Sequence, residues 1–238
     1  MNTRTAYIQR EQRRITKLVT TQFKQFYLTG GTALAFYFKH RFSEDLDFFS
    51  QKYDRENPEM ILKFISQKTG FAYKLESEQN RPGLVRMKVF FLELKRKEVL
   101  KVDFVEDFAE NIRPIREGLH SIEDIYYRKI LAAIGARDKK SATGRDVATG
   151  RQSVKDLFDI YYLSTKYKSL PKFFFKYFAH KHIERLNGWY KGFNRMEAKL
   201  ELIDLVRGVD TSEVFKHLDD QILKKIPDRL LWGDHYEN

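Results

Sequence analysis

The segment "LTGGTALAFYFKHRFSEDLDFF", residues 28–49, joins a glycine pair, Gly30 and Gly31, to two aspartates, Asp45 and Asp47, separated by one leucine. In a strand, residues i and i+2 share a face, so Asp45 and Asp47 project from one surface while Leu46 and Phe48 enter the core. Two such carboxylates repel, and a hard cation such as Mg²⁺ relieves the repulsion by taking their oxygens as ligands. The glycine pair lies where a strand gives way to a helix. It lets the backbone turn sharply and approach a bulky ligand, and it leaves the first amides of the helix as donors. Such a turn suits a phosphate, helped by the helix dipole and by the hydroxyl of Thr32. A third carboxylate, Asp103 in "VLKVDFVEDF", alternates with Leu100, Val102 and Phe104 and shares its face with Lys101. Three acids can hold two metal ions about 3.5–4 Å apart, one activating an attacking hydroxyl and the other neutralising a triphosphate during in-line displacement. The competing reading is that these aspartates end strands or pair with Arg41 or Lys101.

The elements that must position these residues follow from hydrophobic periodicity. An amphipathic helix is expected over about 5–23, with Ile8, Ile15, Leu18 and Val19 near one side. Short strands then follow near 26–29, 45–49, 71–76, 84–94 and 98–106, interleaved with helices near 32–40 and 57–68. From Ser121 onward, "SIEDIYYRKILAAIGAR", "SVKDLFDIYYLSTKYK", "LPKFFFKYFAHKHIERL" and "NRMEAKLELIDLVRG" all have helical spacing and no strand signal. The expected organisation is an α/β half over residues 1–118, with short strands and helices interleaved, followed by an α-helical half over residues 119–238, so the class is α+β. The segment 138–152, "DKKSATGRDVATGRQ", is a long loop rich in Gly, Thr, Arg and Lys.

Within the helical half, Lys129 projects onto the apolar side with Ile122, Ile125, Ala133 and Ala136, whereas Asp124, Arg128 and Gly135 occupy the other side. A lysine on that side needs an anionic partner, or else packs its stem and extends its ammonium to water. Asp124 and Asp156 each lie three residues after a serine, the spacing of a capping box. Asp159 shares a helical face with Asp156. The runs "PKFFFKYF" and "KHIERLNGWYKGF" interleave aromatic with basic residues, which serves either a stacking surface for RNA or a helical core. The "HKH" at 180–182 has no companions at metal-ligand spacing and reads as surface.

Composition narrows the classes. The 238 residues are 42% hydrophobic, enough to fill a core, and the formal charge of +11 favours a polyanionic partner such as nucleic acid or a nucleotide. With no cysteine, disulfides and thiolate metal sites are excluded, and a reducing cytoplasm is compatible. No apolar run approaches the eighteen or so residues of a membrane span, and "MNTRTAYIQREQRR" lacks the apolar stretch of a secretory signal, so no membrane partner is expected.

The glycine turn, Thr32, the spacing to Asp45 and Asp47, and the intervening "HRFSEDLDFF" resemble the signature of the AbiEii/AbiGii-type nucleotidyltransferase toxins, members of the polymerase-β-like superfamily. "EDIYYRKILAAIGAR" resembles that family's helix with an acidic residue followed by a lysine, and "KDLFDIYYL" its basic-Asp-x-x-Asp segment. Gly30-Gly31 stands where the superfamily often has Gly-Ser. The long loop at 138–152 leaves Arg145, Arg151 and Lys155 as candidates for the basic position.

The resemblance implies a nucleotidyltransferase mixed sheet and transfer of a nucleoside monophosphate from a nucleoside triphosphate (NTP) to an acceptor hydroxyl. Asp45, Asp47 and Asp103 would bind Mg²⁺, and Asp103 would assist deprotonation of the acceptor. Gly30, Gly31, Thr32 and Arg41 would hold the triphosphate. Lys129 would contact its phosphates, and Asp156 and Asp159 would orient that lysine or the base. The implied setting is a bacterial toxin–antitoxin pair, with an RNA acceptor such as a tRNA 3′ end and a cognate antitoxin as partners. Two other classes stay open at this point: a nucleic-acid-binding regulator without chemistry, and a transferase that modifies a protein or a small molecule.

Overall fold

The computed structural model describes residues 3–135 and 150–227, together with the short backbone stretches 139–140 and 146–147. Two compact units result, Met1–Ile125 and Tyr126–Asn238. The division falls inside a helix, later than the boundary near residue 118 expected from the change of periodicity.

The first unit is built on a five-stranded mixed sheet. Its strands are β1 (Tyr27–Thr29), β2 (Leu46–Ser50), β3 (Ala72–Gln79), β4 (Met87–Glu93) and β5 (Val99–Glu106), in the order β1-β2-β5-β4-β3. Only the β2–β5 pairing is parallel, and the long excursion between these strands supplies the crossover it requires. The expected strand from 84 begins instead at Met87, because the Leu84 amide closes a turn onto the Arg81 carbonyl at 3.1 Å around Pro82 and Gly83.

Alternation along the strands sorts the side chains as expected. Leu46, Phe48, Leu100, Val102 and Phe104 are fully buried, with Phe104 stacked on Phe48 (centroids 5.5 Å) and edge-on to Phe26 (5.5 Å). Each such side chain contributes about 1.5–3 kcal/mol by leaving water. Helix α1 (Thr3–Gln22) buries Ile8, Ile15 and Val19 and packs against α3 (Asn57–Thr69), which starts with Pro58 and ends on a left-handed Gly70. Helix α2 (Gly30–Phe38) follows β1 without a linker.

The second unit is helical apart from a short antiparallel pair, Lys139–Lys140 with Asp146–Val147, inside the segment expected to be a loop. It contains α4 (Ile122–Ile134), whose first turn belongs to the first unit, α5 (Val154–Lys166), α6 (Leu170–Tyr177), α7 (Ile183–Lys191), α8 (Arg195–Leu205) and α9 (Thr211–Leu218). α9 continues into a π-helical stretch, Asp219–Lys225. The run "LPKFFFKYFAHKHIERL" is two helices. Extended backbone at Phe178 and Ala179 breaks it, and a 3₁₀ turn, His180–His182, links α6 to α7. Its aromatics and those just beyond it in α7 form core: Phe173 and Phe174 are fully buried, Phe173 stacks on Tyr126 at 4.1 Å, and Trp189 and Tyr190 are 2% exposed. These rings are therefore withheld from any RNA-stacking surface, because apolar area of that size is worth more inside the bundle than in water.

Candidate active site

The glycine turn and the aspartates meet across three adjacent strand positions. Thr29 of β1 is the register partner of Asp47 of β2, and Asp47 in turn is the partner of Asp103 of β5. Register partners on neighbouring strands stand on the same face, so Asp47 and Asp103 lie side by side, opposite the Phe48 and Phe104 layer. Asp45 immediately precedes β2. Sequence alternation places each acid on this face, whereas the parallel pairing of segments far apart in the chain brings them together.

The two glycines are required by what they approach. Gly30 has φ +71°, and a Cβ there would stand 2.6 Å from Asp47 Oδ2; a Cβ on Gly31 would stand 2.5 Å from an Arg41 guanidinium nitrogen and 3.0 Å from Ser43 Oγ. The turn thus closes directly over the Asp47 carboxylate and the Arg41 guanidinium.

The Arg41 side chain is itself buried, and its Nη1 donates to the Phe42 carbonyl at 3.0 Å. The Thr29 side chain does not cap α2. Its Oγ1 instead pairs with His120 Nδ1 at 2.7 Å, while the other His120 nitrogen meets Asn111 Oδ1 at 3.0 Å. The backbone of Leu28 adds bonds to Gly118 and His120 (2.8 and 3.0 Å), which pin the strand that ends in the glycine turn. Thr32 is 1% exposed, and its hydroxyl donates to the Asp45 carbonyl. That bond ties the first turn of α2 to the Asp-Leu-Asp segment, so the hydroxyl expected for a phosphate is engaged in positioning. From α1, buried Gln12 donates to the Ser43 carbonyl at 2.9 Å and steadies the connection between α2 and β2.

The electrostatics centre on Asp103. It is 6% exposed; Oδ2 accepts from Lys101 Nζ at 2.6 Å, and Oδ1 is buried with no hydrogen-bond partner. Burial pushes the Asp103 carboxyl up from its ordinary value, the Lys101 ammonium opposes that shift, and the charge of Asp45 adds to it. For Lys101, burial acts to lower the pKa, but the hydrogen bond to Asp103 and the charges of Asp103, Asp45 and Asp47 leave it raised. Lys101 therefore senses all three acids. Among the described residues, no three His, Cys, Asp or Glu side chains converge closely enough to hold a metal ion unaided.

In the second unit, Lys129 is 7% exposed and has the anionic partners its position demands. Its Nζ lies 2.6 Å from Asp156 Oδ1 and 2.8 Å from Asp159 Oδ2, and both acids are fully buried. Asp156 also accepts from Arg151, with Nε at 2.9 Å and Nη2 at 2.7 Å. Of the three candidates for the basic position, Arg151 thus pairs with the Asp-x-x-Asp segment, Lys155 is exposed, and Arg145 lies outside the described residues, as does Ala136. The two capping-box expectations diverge. Ser121 Oγ accepts from the Asp124 amide at 3.0 Å and donates to its carboxylate at 2.6 Å. Asp124 also receives the amides of Ile112 and Arg113, which buries a residue expected on the polar side of its helix. Ser153 makes no side-chain cap: the Asp156 amide donates to the Ser153 carbonyl at 3.0 Å, and the Asp156 carboxylate is held by Lys129 and Arg151.

Sequence reasoning missed two residues. Lys101 entered only as a bland partner for an aspartate, although its i, i+2 spacing from Asp103 was the available signal. His120 had no signal, since its contacts depend on the path of residues 107–120 back to β1.

Comparison with known proteins bears on the fold and the family. No curated protein matches the chain. Among solved structures, JHP933 from Helicobacter pylori is similar over 97% of this chain and 97% of its own, with 21% identity and a TM-score of 0.59. MenT4, a nucleotidyltransferase toxin from Mycobacterium tuberculosis, is similar over 96% of this chain and 87% of its own, with 12% identity and a TM-score of 0.51. At these identities the likeness concerns the fold. The family described as nucleotidyl transferase AbiEii toxin, type IV toxin–antitoxin system, matches residues 18–230. A glycine turn closed over an aspartate ladder, on this fold and within a match of that extent, means that the chain belongs to the AbiEii nucleotidyltransferase toxin family.

Proposed function

We propose that this nucleotidyltransferase uses Mg²⁺ to transfer a nucleoside monophosphate from an NTP to an acceptor hydroxyl on RNA. The observation that supports this reading best is the Asp47–Asp103 register pair, with the orphaned Oδ1 of Asp103 on one side and the Gly30 backbone against Asp47 on the other. A buried carboxylate oxygen without a donor is costly unless a cation or a proton satisfies it.

The donor set fits magnesium, a hard cation that takes carboxylate oxygens and keeps several positions for water or substrate phosphate. Asp47 and Asp103 would hold it, with Asp45 adding negative charge at the edge of the site. When bound, Mg²⁺ would supply neutralisation of the triphosphate and of the attacking oxygen. The α2 amides beginning at Gly30 and Gly31, with the Arg41 guanidinium behind them, would bind and orient phosphate oxygens. Asp103 would take the proton of the acceptor hydroxyl. The acceptor oxygen bonds to the α-phosphorus, the bond from that phosphorus to the bridging oxygen breaks, and pyrophosphate leaves. Thr32 would hold Asp45 in place through its carbonyl. Lys129, fixed by Asp156 and Asp159, is the nucleotide-binding lysine in this reading.

An RNA acceptor is favoured by the formal charge of +11 and by the exposed Lys95–Lys97 turn between β4 and β5, and a tRNA 3′ end is the acceptor this reading names first. The family also implies a cognate antitoxin as partner and toxicity to bacteria as the setting. No described helix is long and apolar enough to cross a membrane.

The test is incubation of the protein with each NTP labelled at the α-phosphate, Mg²⁺ and total RNA, beside the Asp45→Ala and Asp47→Ala variants. Label should appear on RNA and fall by about a hundredfold or more in Asp47→Ala. Transfer that persists unchanged in both variants contradicts the site, and label on a protein or small molecule replaces the acceptor. Binding of RNA with no transfer to anything favours a regulator without chemistry.

A further inference from the structure

Lys101 has no role in the transfer described above, yet it is built into the carboxylate face. Val99, Lys101 and Asp103 alternate along β5 with the buried Leu100 and Val102, so Lys101 stands on the same face as Asp103. Because Leu46 pairs with Val102, the residues immediately before them, Asp45 and Lys101, start this part of the ladder together. The ammonium lies 2.6 Å from Asp103 Oδ2 and its side chain keeps 37% exposure, against 9% for the aspartate. The lysine is thus anchored at the carboxylate but has room to swing toward water.

A half-exposed pair of this kind adds little to stability, typically about 0–1 kcal/mol, so holding the fold together is a weak reason for it. The local charge gives a better one. Asp45, Asp47 and Asp103 gather three negative charges on one face, and Lys101 is a cation that senses all three. A divalent ion entering the same face must share Asp103 with that ammonium or displace it.

We propose that Lys101 is a tethered counter-cation that occupies Asp103 in the nucleotide-free protein and competes with the divalent metal for it. The inference rests on the reading of Asp47 and Asp103 as metal-holding residues. Lys101 acts through Asp103 and is a positioning residue. It keeps the carboxylates in place while the site is empty and lowers affinity for the metal alone, so that metal enters preferentially together with the triphosphate, whose phosphates give the released ammonium a new anionic partner.

The test is Mn²⁺ binding to the nucleotide-free protein, followed by the loss of the free-ion electron paramagnetic resonance signal, for wild type, Lys101→Met and Lys101→Arg. Removing one positive charge about 5 Å from a divalent ion, even at a water-like dielectric, corresponds to a change on the order of tenfold. Lys101→Met should therefore bind Mn²⁺ about tenfold more tightly, and Lys101→Arg should stay within about twofold of wild type. In an Asp103→Asn background, where the ammonium has lost its anchor, Lys101→Met should tighten binding by clearly less than it does with Asp103 present. Unchanged or weaker binding in Lys101→Met, or a tightening that Asp103→Asn leaves undiminished, overturns the proposal. If Lys101→Met leaves affinity unchanged while Asp47→Asn abolishes binding, only the role of Lys101 fails; if no variant binds Mn²⁺, the metal-holding reading fails with it.

Discussion

Gly30→Ala separates what the glycine turn does for the fold from what it does for the site. The residue sits at φ +71°, where an L side chain costs about 1–2 kcal/mol. The added methyl would also stand 2.6 Å from Asp47 Oδ2, so the carboxylate must retreat by roughly an ångström to reach ordinary van der Waals contact. Misplacement on that scale costs a reaction about a hundredfold. Gly70 provides the control, with nearly the same backbone conformation, φ +73°, and nothing within 4 Å of its would-be Cβ. Both variants should lose about 1–2 kcal/mol in urea unfolding followed by far-ultraviolet circular dichroism. Only Gly30→Ala should lose label transfer, by about a hundredfold, while Gly70→Ala stays within about twofold of wild type. Equal transfer by the two variants would show that the close approach of Gly30 to Asp47 has no part in the chemistry.

Two further outcomes concern the helical unit. Lys129→Met leaves Asp156 and Asp159 buried without their shared ammonium, a loss of about 3–5 kcal/mol. Because buried Trp189 belongs to this unit, tryptophan fluorescence reports its urea transition, and the combined change Lys129→Met, Asp156→Asn, Asp159→Asn should recover much of the loss. His217 has its pKa lowered, chiefly by burial, and its Nε2 lies 2.9 Å from Ser164 Oγ, a hydroxyl that also accepts the Leu170 amide at the start of α6. A depressed folded-state pKa means that the stability tied to the neutral ring is present above the unfolded value near 6.5 and is lost as pH falls through the folded value. His217→Gln should therefore show a smaller drop in melting temperature between about pH 7 and pH 5 than wild type; an identical drop removes His217 as the cause.

Much of the sheet unit was legible because its signals are local. Period-two alternation placed Leu46 and Phe48 inward with Asp47 outward, and did the same for Val102, Phe104 and Asp103, whatever the partners of these strands. Helical spacing put Lys129 on a buried side for the same reason. The aromatic and basic runs near 173 and 189 were ambiguous, because a ring at helical spacing looks alike in a core and on a stacking surface until the neighbouring helices are known. The break of one apparent helix at Phe178 was likewise hidden, since Phe178 leaves the helix with extended backbone and stacks on Tyr127 of α4 (4.9 Å), a partner that local spacing does not reveal.

By itself, then, the sequence determined which side chains face inward or outward, where glycine must stand, and that Lys129 needs an anion, since each depends on backbone geometry over a few residues. Only the tertiary structure decided that Asp47 stands beside Asp103, that the charges of Asp45 and Asp47 bear on Lys101, and that Asp156 and Asp159 are the anions of Lys129. Those pairings join segments far apart in the chain, and strand register and helix packing choose among many partners of equal local merit.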